Sequence, residues 1–353
     1  MSQYEYGNTR LRARLSELMT YETVSSFTDL TSVDSFISTL TKTPYRASIE
    51  YALTFAHGYG CIIQALQREA AQIYSDLKRF FTGQEAQKIE LIFLREDLKN
   101  IKAILRGLSH DDPFDVIIAS FTPLGSLPRS TLTQIAKSAS VDEALNKMVL
   151  YDLPVAEPLM ALKAQHEHLA AAEMEMCIEM WYFHHIDDLI SGNDEDARLL
   201  REYHAIEADI VNLNTVLRFI NTPQAEEELH GSLEDYLVPY GAISTQRWQA
   251  LAESGSIEEL ISRISPSRYD RDLKIGLQCF KNTGNLSEFE ANMRTYRLRR
   301  LARLPRLYPL GIGVALGYAV RKLSEIRNLN WIAKGISAAF EPAYIRENLE
   351  HVA

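Results

Sequence analysis

Apolar residues recur along most of this chain at the three- and four-residue spacing of an α-helix. Between residues 96 and 107, for example, Leu98, Ile101, Ile104 and Leu105 fall on one helix face. Runs rich in valine, isoleucine and threonine with strict alternation, which would indicate strands, are absent. The pattern predicts an all-α protein.

The same amphipathic segment occurs three times without gaps, at 96–107, 208–219 and 324–335. Each copy has an acid at its second place, asparagine at the fifth, and a base at the eleventh. The acid and the asparagine share a helix face because they are three residues apart. We predict that each pair bridges to a neighbouring helix in a structural role. The pairs are Asp97 with Asn100, Asp209 with Asn212, and Glu325 with Asn328.

A second block also recurs, since residues 123–144 match residues 239–260. Both copies contain a serine followed three residues later by glutamate, at Ser140 and at Ser256, which is the pattern of a helix capping box. A shorter version of the block lies at 27–45. The block predicts short helices joined by tight turns.

The order of these segments indicates three modules, one of which is permuted. The amino end has the second block without a preceding motif segment, and the carboxyl end has a motif segment without a following block. We therefore predict helical modules at 1–90 plus 320–353, at 91–196 and at 197–319, arranged around a pseudo-threefold axis.

Composition limits the classes of protein that this chain can be. Its 353 residues are 46% hydrophobic and 24% charged, with only 16 glycines and 12 prolines, so it is expected to fold throughout and to hold more than one module. The net charge of −10 argues against a nucleic-acid partner. Its three cysteines lie far apart, without CxxC spacing, and predict neither disulfides nor a zinc site.

No stretch of the sequence predicts a membrane span or a secretory signal. The first residues, 1–14, are polar and charged. The longest uncharged stretch, 307–320, has 14 residues, whereas a membrane-spanning helix needs about 20. Any membrane association is therefore expected to occur through a partner or a surface.

The repeated segments resemble the C subunit of archaeal and bacterial V/A-type ATPases, and its eukaryotic counterpart, the d subunit. The resemblance covers nearly the whole chain in order, and it rests on the order and spacing of several segments. These are Pro123-Leu-Gly-Ser126 through Asp152-Leu-Pro154, the helix of Glu207-Ala-Asp209, Tyr308-Pro-Leu-Gly-Ile-Gly313, Gly317-Tyr318, and 325–335.

This resemblance implies a funnel-shaped, non-catalytic rotor subunit of three similar lobes. It would sit peripherally on the cytoplasmic face of the membrane, as one copy within a hetero-oligomeric complex. Its partners would be the central-stalk subunits of D and F type and the proteolipid ring, between which it would transmit torque for proton or sodium transport. It would need no catalytic residue, metal or cofactor.

Three motifs are typical of enzymes but are incomplete here. Gly311, Gly313 and Gly317 depart from dinucleotide-binding spacing and lack a βαβ unit, so they predict close helix packing instead. The histidines 166, 168, 184 and 185 lack the HExxH spacing of a metal site. Asp187 and Asp188 resemble part of the magnesium motif of class I terpenoid synthases. An all-α magnesium-dependent diphosphate enzyme therefore stays an alternative, as does an unrelated helical scaffold.

One run of basic residues is a candidate for contact with a partner. Six arginines lie within 13 residues, interleaved with leucines 298, 301 and 304, which predicts a helix with an apolar stripe and a basic face. Such a face is either solvated or in contact with an acidic partner or anionic lipid heads. The six are Arg294, Arg297, Arg299, Arg300, Arg303 and Arg306.

Overall fold

The computed structural model describes residues 4–121, 125–166, 169–221 and 232–351, and these residues form helices, turns and loops without a strand. The all-α prediction is confirmed. In chain order the helices are α1 Glu5–Ser16, α2 Tyr21–Ser26, α3 Val33–Leu40, α4 Arg46–Ala52, α5 Gly58–Phe80, α6 Gly83–Ser109, α7 Phe114–Ala119, α8 Arg129–Ala136, α9 Val141–Leu150, α10 Ala156–Gln165, α11 Ala171–Leu189, α12 Glu195–Asn221, α13 Thr245–Ala252, α14 Ile257–Ile264, α15 Asp270–Thr283, α16 Ser287–Ala302, α17 Leu304–Leu307, α18 Gly313–Ser337 and α19 Pro342–Glu347, with 3₁₀ turns at Phe27–Asp29 and Leu233–Tyr236.

Each predicted motif segment lies within one long helix. These helices are α6, α12 and α18, of 27, 27 and 25 residues. In the second of them, Leu213, Val216 and Leu217 are buried, as the spacing predicts. The amphipathic pattern therefore identified all three helices.

The second block forms short helices joined by turns, as predicted. At three places, three helices of 6 to 14 residues precede a longer one: α2–α4 before α5, α8–α10 before α11, and α13–α15 before α16. The middle helix begins after Ser32, Ser140 or Ser256, whose hydroxyl accepts the N–H of the third residue beyond it. Pro123 and Leu124, at the start of one block, lie outside the described residues.

The glutamates of the predicted capping boxes contact a different N–H from the expected one. Glu143 accepts the N–H of Ala139 at 2.8 Å, and Glu259 accepts that of Gly255 at 2.9 Å. Both N–H groups precede the capping serine by one residue. The carboxylates therefore extend the cap into the preceding turn.

The chain divides into two compact units. Unit 1 comprises residues 1–97, 122–126 and 298–353, and unit 2 comprises residues 98–121 and 127–297. The division into three modules with the boundaries 1–90 plus 320–353, 91–196 and 197–319 stays a prediction.

Helix α18 forms the centre of unit 1, where it packs against α1 and α5. Its residues Ile326, Leu329 and Ile332 are fully buried. At its start, a Cβ atom added to Gly317 would lie 2.3 Å from the Cδ atom of Pro305. The glycine therefore permits close packing, which confirms the packing interpretation of the glycine-rich segment.

Unit 2 has its core around the second half of α12. Leu213 and Val216 pack with Trp248 of α13, Leu260 of α14 and Leu273 of α15. All five side chains are at most 2% exposed. Burial of this size, at roughly 25 cal/mol per Å² of apolar surface, is the main force that holds the short helices against α12.

Candidate functional site

The acid of the second motif helix is completely buried and binds the turn that begins the next block. Asp209 is 0% exposed. Its carboxylate accepts the N–H groups of Ala242 and Ile243, both at 3.1 Å, and the hydroxyl of Tyr269 at 2.5 Å. One carboxylate thus fixes the turn before α13 and the residue before α15.

The asparagine of the same helix fixes the chain a few residues earlier. Asn212 donates to the carbonyl of Val238 at 2.9 Å and accepts the N–H of Val238 at 2.8 Å. Both backbone polar groups of Val238, which is 0% exposed, are thereby satisfied, as a buried backbone requires. We call an acid and the asparagine three residues after it, when both are buried on one helix, the acid–asparagine clamp.

Unit 1 contains the same clamp between its two chain ends. Glu325 accepts the N–H of Met19 at 2.7 Å and the hydroxyl of Tyr45 at 2.7 Å. Asn328 exchanges two hydrogen bonds with the backbone of Glu350, at 2.7 and 2.8 Å. The clamp therefore ties residues near both ends of the chain to α18. Its partners are turns, where the sequence suggested a neighbouring helix.

In the first motif helix, Asp97 accepts both the N–H and the hydroxyl of Ser126, at 3.0 and 2.5 Å. Asn100 is 1% exposed. A Cβ atom added to Gly125 would lie 2.2 Å from the Asp97 carboxylate, and one added to Gly241 would lie 2.4 Å from that of Asp209. Both aspartates therefore depend on a glycine in the turn that they bind.

Replacing Gly241 with alanine is expected to destabilise the protein by about 1–3 kcal/mol, because the new methyl group would overlap the Asp209 carboxylate. The matched control is the same change at Gly60, whose added Cβ would meet nothing closer than 3.9 Å within α5. There alanine is expected to stabilise the helix by about 0.5 kcal/mol. Urea unfolding of both variants checks the opposite signs, and equal effects would contradict the clamp geometry.

Burial shifts the pKa values of Asp209 and of the two tyrosines that donate to the clamp acids. It raises the pKa of both phenols, Tyr45 and Tyr269, and the carboxylates beside them raise those pKa values further. Each phenol therefore keeps its proton and donates it to the clamp. Burial also raises the pKa of Asp209, although the hydrogen bonds from Tyr269 and the backbone N–H groups act in the opposite direction.

Because its pKa is raised in the folded state, Asp209 stabilises the fold more at low pH than at high pH. The folded chain holds this proton more tightly than the unfolded chain, whose aspartate has the ordinary pKa of 3.8. The contribution is therefore complete below about pH 4 and is lost as the pH rises through the folded pKa. We expect the stability difference between the wild type and Asp209→Asn to shrink over that range. A difference in unfolding free energy that grows with pH would contradict this assignment.

The structure divides the six candidate arginines. Arg294 is exposed, whereas Arg297 is 8% exposed and forms a buried ion pair with Glu207. The prediction that Arg297 belongs to an exposed basic face was therefore wrong, because Arg297 is buried against an acid of α12. Arg299 and Arg300 are half-buried and take part in other interactions. The predicted apolar stripe is present, since leucines 298, 301 and 304 are all buried.

Apart from Arg294 at its start, the exposed arginines of the predicted patch lie at its end. Arg303 and Arg306 are exposed, and they are followed by Leu307 and Leu310, whose exposed fractions are 55% and 72%. Arg12 of α1 donates to the carbonyl of Pro309 and adds a third charge. We define the basic–leucine surface as residues Arg12, Arg303, Arg306, Leu307 and Leu310. The contribution of Arg12 was missed because it is distant in sequence.

The acidic pair and two of the histidines that suggested an enzyme lie on α11. Asp187 and Asp188 lie at the end of α11, and His185 stacks on Trp181 with a pKa lowered by burial. His168 lies outside the described residues. Among the residues that the structure covers, no group of three histidine, cysteine or acidic side chains could hold a metal ion.

The described helices do not match a membrane span. None of those within 4–121, 125–166, 169–221 and 232–351 has both the length and the apolar character that crossing a bilayer requires.

Comparison with known proteins agrees with the resemblance seen in the sequence. The family model of the ATP synthase (C/AC39) subunit matches residues 7–348. The C subunit of the A-type ATP synthase of Pyrococcus abyssi is 25% identical over 353 residues, which cover 99% of this chain and 91% of that protein. The protein of the same name from Methanocaldococcus jannaschii is 23% identical over 359 residues, covering 99% and 86%. The chain therefore belongs to the ATP synthase (C/AC39) subunit family.

Proposed function

We propose that this chain is the rotor adaptor of an A/V-type rotary ATPase. In this role it is a non-catalytic socket that joins the central stalk to the membrane proteolipid ring and transmits torque between them. It sits peripherally on the cytoplasmic side as a single copy. The observation that carries the proposal is the family match over residues 7–348, in the same chain order as relatives named as C subunits of A-type ATP synthases.

The clamps support a part that bears mechanical load. The clamps of α12 and α18 place a buried carboxylate and a buried amide against loops from elsewhere in the chain. The clamp of α18, for example, holds the backbone of Met19 and of Glu350. Hydrogen bonds to a charged acceptor contribute about 1.5–3 kcal/mol each, and losing one leaves a buried group unsatisfied. A chain fixed in this way resists local opening when force is applied between its surfaces.

The basic–leucine surface supports attachment to an acidic or anionic partner. Arg303 and Arg306 lie on the same short segment as Leu307 and Leu310, and Arg12 is bonded to that segment. When a partner binds such a surface, the exposed leucines are buried against it and the arginines pair with its acidic groups. The function does not require a nucleophile, a metal or a nucleotide.

Removal of the chain from the parent complex tests the proposal. We expect membranes that lack this chain to retain the proteolipid ring but to release the catalytic head and the stalk, as measured by native electrophoresis. Adding the purified chain is expected to restore the joined complex. Head and ring that stay joined and coupled without the chain would contradict the adaptor role.

A further inference from the structure

A small cavity in unit 1 is lined by an arginine and a serine whose side chains have no hydrogen-bond partner among the described residues. The cavity measures about 40 Å³ and lies beside α18, where Arg321 and Ser324 form part of its wall. Within the described residues, Arg321 makes no hydrogen bond or ion pair. The hydroxyl of Ser324, a residue only 1% exposed, also has no hydrogen-bond partner.

The acids that line the same cavity are already occupied. Glu325 accepts bonds from Met19, Tyr45 and Lys322. Glu350 is bound by Arg327 at 2.9 and 3.0 Å. Both acids are therefore hydrogen-bonded to other donors, and neither forms an ion pair with the half-buried Arg321. Burial and the nearby Arg306 lower the pKa of Arg321, and the Glu325 carboxylate acts in the opposite direction. The cavity presents a guanidinium without a hydrogen-bonded partner and an unused hydroxyl.

The repeat shows that these two residues are not part of the clamp. The position of Arg321, four before the clamp acid, is held by Phe93 in the first motif helix and by Ala205 in the second. The position of Ser324 is held by Glu96 and Ala208. The clamp forms in unit 2 without an arginine or a serine at these places. The clamp therefore does not account for their presence in α18.

The size and chemistry of the cavity fit a carboxylate group. Each water-sized group needs roughly 10–15 Å³, so the cavity of about 40 Å³ holds about three such groups. Arginine binds a carboxylate through two parallel N–H donors, and a serine hydroxyl donates a third bond. We propose that an aspartate or glutamate side chain of a protein partner inserts here and binds Arg321 and Ser324. The inference rests on the proposed function, which supplies that partner.

Two variants separate this role from a structural one. Replacing Arg321 with methionine keeps the apolar stem and removes the charge, and Ser324→Ala removes the hydroxyl. Neither change breaks a bond within the described residues, so the melting temperature of each isolated variant is expected to equal or exceed that of the wild type. The matched control is Ser48→Ala, because Ser48 is buried and donates to Glu69 at 2.6 Å. That variant is expected to melt at a lower temperature.

Binding to purified rotor, that is the stalk and ring stripped of this chain, provides the decisive readout. Arg321→Met is expected to weaken binding about tenfold and to reduce its salt dependence, and Ser324→Ala to weaken it several-fold. Arg271→Met, at an exposed arginine in unit 2, is the control for loss of charge. Wild-type affinity in both test variants would overturn the inference and leave the adaptor role intact. A wild type that does not bind rotor would contradict the adaptor role itself, and this inference with it.

Discussion

Replacing Asp209 with alanine is expected to lower the free energy of unfolding by about 3–5 kcal/mol. The side chain is 0% exposed and accepts from Ala242, Ile243 and Tyr269. Alanine would leave these three donors buried without an acceptor, and each such group costs about 1–3 kcal/mol. Urea denaturation followed by far-ultraviolet circular dichroism measures the loss.

The matched control is alanine at Asp142, an exposed aspartate that pairs with Lys163. An exposed ion pair contributes about 0–1 kcal/mol, so this variant is expected to unfold close to the wild type. Equal stability of the two alanine variants would contradict the conclusion that the Asp209 hydrogen bonds stabilise the fold.

Reversing both charges of Arg303 and Arg306 to glutamate is expected to weaken binding of the chain to stripped rotor about tenfold or more. Both side chains are exposed, so the stability of the isolated chain is expected to change by only about 0.5 kcal/mol. Like charges then face the acidic or anionic partner, which accounts for the loss of affinity. Co-sedimentation with the ring at two salt concentrations measures the effect.

The control for this variant reverses two charges on another exposed helix face, at Arg271 and Lys274 of α15. The net charge changes by the same amount. Equal loss of binding in both double variants would mean that overall charge governs the affinity, and the basic–leucine surface would then have no specific role.

The sequence predicted the helices well because their signals are local. The spacing of Leu98, Ile101 and Leu105 is set by the helix period and needs no knowledge of distant residues. The capping serines Ser140 and Ser256 act on N–H groups only three residues away. Repetition strengthened both signals, because a pattern that recurs in the same order along the chain is not expected by chance.

The partners of the clamp acids could not be predicted, because they depend on how the chain folds back. Asp209 contacts Tyr269, and Glu325 contacts Tyr45, across long stretches of sequence. The burial of Arg297 was missed for the same reason, as nothing in its own segment indicates that Glu207 faces it. A local charge run cannot distinguish a solvated arginine from a paired one.

Arg321 and Ser324 carried a signal that was available in the sequence. Aligning the three motif helices shows that α18 departs from the other two at both positions, whereas the clamp acid and asparagine are kept. A repeat isolates what the fold requires, so the arginine at the place of the apolar Phe93 and Ala205 indicates a local function. The cavity then shows which chemistry that function uses.

The most direct test of the adaptor role is an affinity pull-down of the tagged chain from gently solubilised membranes of its own organism, with mass spectrometry of the proteins recovered. The account predicts recovery of both the proteolipid and the central-stalk subunits with the wild type, and a reduced yield of the complex with Arg303→Glu/Arg306→Glu. Recovery of neither, from a preparation that contains intact rotary complexes, would contradict it.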